Sequence, residues 1–225
     1  VGGMVATNAS GSHSLKYGST IDNLLGVRII TANGDVVKLP SNSKFGNTIF
    51  RIIKSDLQKE FPKVSKNSCG YRFDVVKKMS ELHKIIAASE GTLGIIISVK
   101  LKTLPIPAKR MLVILSYDNI RQAAIDSAKI VNLKPSALEI VDSNIAKHIK
   151  TRLTKNPSCL LFVEFDNELD KCKKNLRGVI SNARIVNMLT SEHEIKKWWY
   201  FRNSALSYSL RSITAKESMP TIIED

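Results

Sequence analysis

The feature that most constrains this sequence is the run Leu104-Pro105-Ile106-Pro107, near the middle of its 225 residues. Each proline lacks an amide donor and fixes its own φ, so neither a helix interior nor a central strand can pass through the run. The chain therefore reads as two parts, 1–108 and 109–225. With 43% hydrophobic and 24% charged residues, it has the apolar content for real cores and lacks the composition of a disordered chain.

In the first part, apolar alternation predicts strands over 26–31, 36–39 and 95–101, with Asn33-Gly34 as the turn of a hairpin, and helices over 48–54 and 79–88. The second part is more regular. It predicts strand 111–116, an amphipathic helix 120–131, strand 137–141, a short helix 143–151, strand 160–165, helix 169–182, strand 184–188 and helix 191–206. This alternation predicts an α+β fold whose second part is a sheet with helices packed on one side.

Thirty-four Lys and Arg against 20 Asp and Glu give a net charge of +14. A polyanion is the usual partner of such a chain. Here the basic residues are spread out, with only short clusters such as Lys171-Cys172-Lys173-Lys174 and Lys196-Lys197, and the aromatics are not interleaved with them. A solvated surface is the better reading, and nucleic acid is not an expected partner. Cys69, Cys159 and Cys172 are odd in number and form no C-x-x-C, which suits thiols in a reducing cytoplasm better than a disulfide frame or a metal site. No apolar run is long enough to cross a membrane as a helix, and residues 1–4 do not look like a secretory signal. The expected location is cytoplasmic, with peripheral membrane attachment allowed.

Two segments carry the chemistry. The first is Val1-Gly2-Gly3-Met4-Val5-Ala6-Thr7-Asn8-Ala9-Ser10-Gly11, followed by Tyr17-Gly18, Asp22 and Leu25-Gly26. A backbone this bare of side chains can approach a flat or phosphate-bearing ligand, with Thr7, Asn8 and Ser10 as neutral donors. An ordinary glycine-rich turn is the plainer alternative. The stretch is neither G-x-G-x-x-G after a strand nor a Walker loop. The second segment, Ala88-Ser89-Glu90-Gly91-Thr92-Leu93-Gly94-Ile95-Ile96, places two glycines at the entrance of an apolar strand, where a ligand or another segment comes close, or where a β-bulge sits.

Together these segments resemble the second half of the FAD-binding domain of the vanillyl-alcohol-oxidase type, nearest to the oxidases of D-lactate, glycolate and D-2-hydroxyglutarate. The likeness continues through Lys66-Asn67-Ser68-Cys69-Gly70-Tyr71, Ser136-Ala137-Leu138-Glu139 with Asp142, Glu164-Phe165 and Trp199-Tyr200-Phe201-Arg202. The resemblance implies FAD as cofactor, contacted by Gly2, Gly3, Met4, Ala6, Thr7, Asn8, Ser10, Gly11, Tyr17, Gly18, Asn67, Gly70, Tyr71, Glu90, Gly91, Thr92, Gly94 and Ile95. It implies that Asp22 braces the loop and that 109–225 is a substrate-capping domain in which Arg202 pairs with a substrate carboxylate. The implied reaction is hydride transfer from a small 2-hydroxy acid to flavin, with a quinone, an electron-transfer protein or oxygen as the onward acceptor.

The family's first FAD subdomain and its histidine-containing metal and base site have no counterpart in the sequence, so a fragment of a longer chain is expected. No metal set is read from His13, His83, His148 and His193. Glu139, Asp142 and Glu164 are expected to serve structure, and His13 could face the flavin. The rival readings are an alkylglycerone-phosphate-synthase-like flavoenzyme and a flavin-free basic module on the same scaffold.

Overall fold

A computed structural model describes residues 1–54, 61, 64, 67, 70–146 and 157–204. In chain order its elements begin with α1 (Gly2–Ala6), α2 (Ser14–Tyr17), α3 (Thr20–Asn23), β1 (Leu24–Ile30), β2 (Val36–Leu39), α4 (Lys44–Lys54) and β3 (Ile95–Leu101). Then come β4 (Met111–Tyr117), α5 (Ile120–Ile130), β5 (Ala137–Asp142), α6 (Ser143–Ala146), β6 (Cys159–Phe165), α7 (Leu169–Val179), β7 (Arg184–Leu189) and α8 (Glu192–Asn203). The chain divides into two compact units. Among the described residues, the first holds Val1–Gly11 and Gly18–Pro105; the second holds Ser12–Tyr17 and those from Ile106 to Ser204.

The first unit is built on an antiparallel sheet in the order β2-β1-β3. Ile30 pairs with Val36 on one side and with Ile95 on the other. The hairpin is closed by Thr31 N–H to Asp35 C=O and Gly34 N–H to Thr31 C=O, both at 3.0 Å. The inward side chains of β1, among them Val27 and Ile29, pack with Val5, Leu39, Leu82 and Ile86. The helix expected over 79–88 is a 3-10 helix, Met79–Ile86. Its buried Leu82 and Ile85 are three residues apart, the repeat of that helix. His83 is also buried there, with Nε2 2.8 Å from the Leu24 carbonyl oxygen.

The second unit is an antiparallel sheet in the order β5-β6-β4-β7. Its two central strands, β4 and β6, are buried at all seven positions. Burial at every position belongs to strands covered on both faces. The helices accordingly lie on both sides of the sheet, which corrects the one-sided packing expected from the sequence. Ala123 and Ile130 of α5 and Leu176 of α7 join the face of Val113 and Leu161, whereas Ile195, Trp198 and Trp199 of α8 join the face of Ile114 and Phe162. Asn119 starts α5 by accepting the Arg121 N–H on its side-chain oxygen at 2.8 Å. The helix expected over 143–151 is described only as Ser143–Ala146; its remainder lies outside the described residues, as do Cys69 and His148.

Candidate functional site

The two glycine-bearing segments lie side by side in the first unit. The Val5 carbonyl accepts the Ala88 N–H at 3.3 Å, and the Ala6 carbonyl accepts the Glu90 N–H at 2.9 Å. Val5, fully buried, anchors this pairing in the core. The glycine-rich stretch, read from the sequence as bare backbone or an ordinary turn, opens with the helical turn α1. The amides of Val5, Thr7 and Ala9 are bonded to the carbonyls of Val1, Gly3 and Met4, so they do not form an outward cradle of N–H groups. Asn8, expected to offer a donor to a ligand, is turned inward: it is 2% exposed, and its Oδ1 accepts the Ile21 N–H at 2.9 Å.

Both segments hold non-glycine residues at positive φ: Asn8 at 47°, Ala88 at 63° and Glu90 at 51°. Such conformations each cost about 1–3 kcal/mol, persist only where the surroundings fix them, and concentrate at ligand clamps. Open space lies beside the same backbone. A Cβ added at Gly3, Gly11 or Gly91 would meet no protein atom within 4 Å. Gly94 is different, because a Cβ there would fall 2.5 Å from the Ile30 carbonyl oxygen.

Among the other expected site residues, Tyr71 joins this group directly, its hydroxyl 2.6 Å from Thr92 Oγ1. Thr92 Oγ1 in turn donates to the Ser89 carbonyl at 2.6 Å. Gly70 precedes Tyr71 with φ +69°, and the Asn67 carbonyl accepts a hydrogen bond from the Arg72 guanidinium. Thr7 Oγ1 bonds back to the Gly3 carbonyl, Met4, Ser10 and Glu90 are exposed, and Ile95 is an exposed first residue of β3. Asp22 closes a capping box, accepting both the N–H and the Oγ–H of Ser19, and its side chain fills the space a Cβ at Gly18 would need. A cleft of about 210 Å³ runs between Met4, Ala9, Gly18, Thr20 and Leu101. That is less than a whole small-molecule pocket, about 300–1,000 Å³.

The second unit holds a polar network that the sequence reading missed. Glu164 lies on β6 with no exposed surface, yet four donors converge on its carboxylate. They are His13 Nε2 at 2.9 Å, Trp199 Nε1 at 2.7 Å, Ser136 Oγ at 3.3 Å and Arg110 at 3.5 Å. Burial alone would raise its pKa; the hydrogen bonds from His13 and Trp199, with the His13 and Arg110 charges, outweigh burial and hold it below the ordinary value. Arg110 also forks onto Glu192, at 2.9 and 2.7 Å. Just past the end of β6, Asp166 takes Lys16 and the Tyr17 hydroxyl. Burial and that carboxylate push the Tyr17 hydroxyl up to about 12.

Tyr17 therefore belongs to the second unit, on Asp166. Arg202 is on α8, where it donates to Glu139 Oε2 at 2.7 Å. One signal could have exposed the network: Glu164 interrupts an otherwise apolar buried strand, and a charge placed there demands partners. Among the described residues no group of three His, Cys, Asp or Glu is arranged to hold a metal ion, and no helix is long and apolar enough to cross a membrane.

Comparison with known proteins gives two family matches. The family model described as "FAD linked oxidases, C-terminal domain" matches residues 106–225, more than half of the chain, and the "FAD binding domain" model matches residues 1–40. D-2-hydroxyglutarate dehydrogenase of Escherichia coli (strain K12) is 34% identical over 167 residues, which is 64% of this chain and 16% of that protein. Glycolate oxidase subunit GlcD of Bacillus subtilis (strain 168) is 26% identical over 100% of this chain and 43% of its own length. The chain thus spans less than half the length of these relatives. A solved structure of alkyldihydroxyacetonephosphate synthase has a TM-score of 0.61 at 18% identity, covering 92% of this chain and 36% of the other, a likeness of fold.

Proposed function

The chain belongs to the FAD linked oxidases, and from that premise we propose that it forms part of an FAD-dependent oxidoreductase acting on a 2-hydroxy acid of the D-lactate, glycolate or D-2-hydroxyglutarate type. The observation that carries the cofactor assignment is the pairing of the two glycine segments through Val5 and Ala6, with open space beside Gly3, Gly11 and Gly91. The open backbone leaves room for one flank of a flat group; the cleft is too small for all of the cofactor.

In this reading Gly2, Gly3, Met4, Ala6, Thr7, Ser10, Gly11, Gly70, Tyr71 and Glu90-Gly91-Thr92 with Gly94 and Ile95 line that flank. When bound, FAD supplies the two-electron acceptor for the substrate's α-hydrogen. Arg202 takes the substrate carboxylate, for which a planar fork of donors is better shaped than an ammonium. A base from residues other than those described takes the hydroxyl proton. The onward electron acceptor is a quinone, an electron-transfer protein or oxygen, and the protein works in the cytoplasm, free or peripherally attached to a membrane.

Gly3→Leu in the full-length protein tests the cofactor assignment. The side chain enters open space, so the unfolding free energy stays within about 0.5 kcal/mol of wild type. It also enters the cofactor's space, so FAD affinity falls at least about tenfold. Full flavin occupancy in that variant contradicts the assignment, and a wild-type protein purified without flavin favours the flavin-free module.

A further inference from the structure

Two carboxylates on neighbouring strands hold α8 in place. In the antiparallel β5–β6 pair, Ala137 faces Glu164 and Glu139 faces Phe162. Directly opposed residues share a face, as do residues two apart on one strand, so Glu139 and Glu164 both rise from the face covered by α8. Trp199 and Arg202, three residues apart, share one side of that helix. Each reaches one carboxylate at 2.7 Å: Trp199 Nε1 to Glu164, and one terminal nitrogen of Arg202 to Glu139.

The two contacts differ in what they leave over. Glu164 is saturated by four donors and has no exposed surface. The Arg202 side chain is 33% exposed, and its Nε and other terminal nitrogen have no partner among the described residues. A guanidinium has five N–H donors in a rigid fork, so one bond to Glu139 orients the group without using it up. An arginine held in advance loses less side-chain entropy when a ligand arrives.

We propose that Glu139 is a positioning residue. It fixes the Arg202 guanidinium so that the N–H groups not bonded to Glu139 receive the carboxylate of the 2-hydroxy acid. The inference rests on the reading that Arg202 binds that carboxylate.

The test is steady-state kinetics of the FAD-loaded, full-length protein on whichever of D-lactate, glycolate or D-2-hydroxyglutarate it oxidises. Glu139→Ala is expected to raise KM about tenfold, the scale of one charge-assisted hydrogen bond, with kcat within about threefold. Glu139→Asp keeps the charge but is one methylene short of the contact; it is expected to raise KM several-fold and serves if the alanine variant does not fold. An unchanged KM in the folded variant, whatever its stability, overturns the inference, because a brace for the helix alone would change stability and not KM. Arg202→Ala separates the two claims. If it raises KM while the Glu139 variants do not, only the positioning role falls. If it leaves KM unchanged, the Arg202 reading falls and takes the positioning role with it.

Discussion

Replacing Glu164 with alanine is expected to lower the stability of the second unit by about 3 kcal/mol, the scale for removing one partner of a buried charged network. The loss is large because the carboxylate has no exposed surface and two of its donors, on Trp199 and Ser136, are themselves buried. Trp199 Nε1 and Ser136 Oγ would be left without their acceptor in a buried setting. Arg110 would keep Glu192 and suffer less. The tryptophans of this chain, Trp198 and Trp199, both lie on α8, so a urea titration followed by their fluorescence reads this unit directly.

The same network makes a pH prediction with a definite sign. The Glu164 carboxyl in the folded protein lies below its ordinary 4.5. Its stabilisation is therefore fully present above that ordinary value and is lost as pH falls through the lower, folded one. Asp166 acts in the same direction: burial opposes its ionisation, but the bonds from Lys16 and Tyr17 prevail. Wild type should therefore lose stability steeply on acidification. Glu164→Gln should start lower at neutral pH and fall less. Parallel pH profiles for the two proteins would contradict the assignment of Glu164 as an ionised, paired group.

The second large effect is expected at Gly94. Its φ is +143°, and a Cβ would lie 2.5 Å from the carbonyl oxygen of Ile30. Ile30 pairs with Ile95, so the clash falls at the start of the β1–β3 ladder and neither backbone can yield alone. Gly94→Ala should cost at least about 2 kcal/mol through strain and displaced backbone. Gly91→Ala is the informative contrast. Its φ of +80° carries a strain penalty, but nothing lies within 4 Å of the new methyl group. If the proposed flavin site is right, Gly94→Ala should thus weaken the fold and that site together, whereas Gly91→Ala should weaken flavin binding more than the fold. Equal unfolding midpoints for the two variants would show that close approach at Gly94 is not what requires a glycine there.

Much of the fold could be read from local periodicity. Val36–Leu39 and Ile95–Leu101 match their predicted strands, and α5 and β4 to β7 lie within a residue of theirs at each end. What could not be read depends on partners far away in the chain. His13 and Glu164 are separated by 151 residues, so no window of sequence contains both. The same holds for the covering of both sheet faces, for which the largely apolar β4 and β6 are the one local signal. The helical turn at α1 was hidden because Gly2 and Gly3 are poor helix formers, and buried Val5 overrides their propensity. Of the candidate site, the glycine segments and Arg202 were legible as motifs. That Asn8 faces inward and that Arg202 is already held by Glu139 were not, since each depends on tertiary contacts.

The central claim is that this chain is part of an enzyme that passes the hydrogen of a 2-hydroxy acid to FAD. Its most direct test is to mix the full-length, flavin-loaded protein anaerobically with D-lactate, glycolate and D-2-hydroxyglutarate in turn and follow the flavin's visible absorbance. Bleaching by at least one of these acids, restored on adding an electron acceptor, is the predicted result. A flavin that stays oxidised with all three, in a protein whose flavin is reducible by dithionite, would contradict the account.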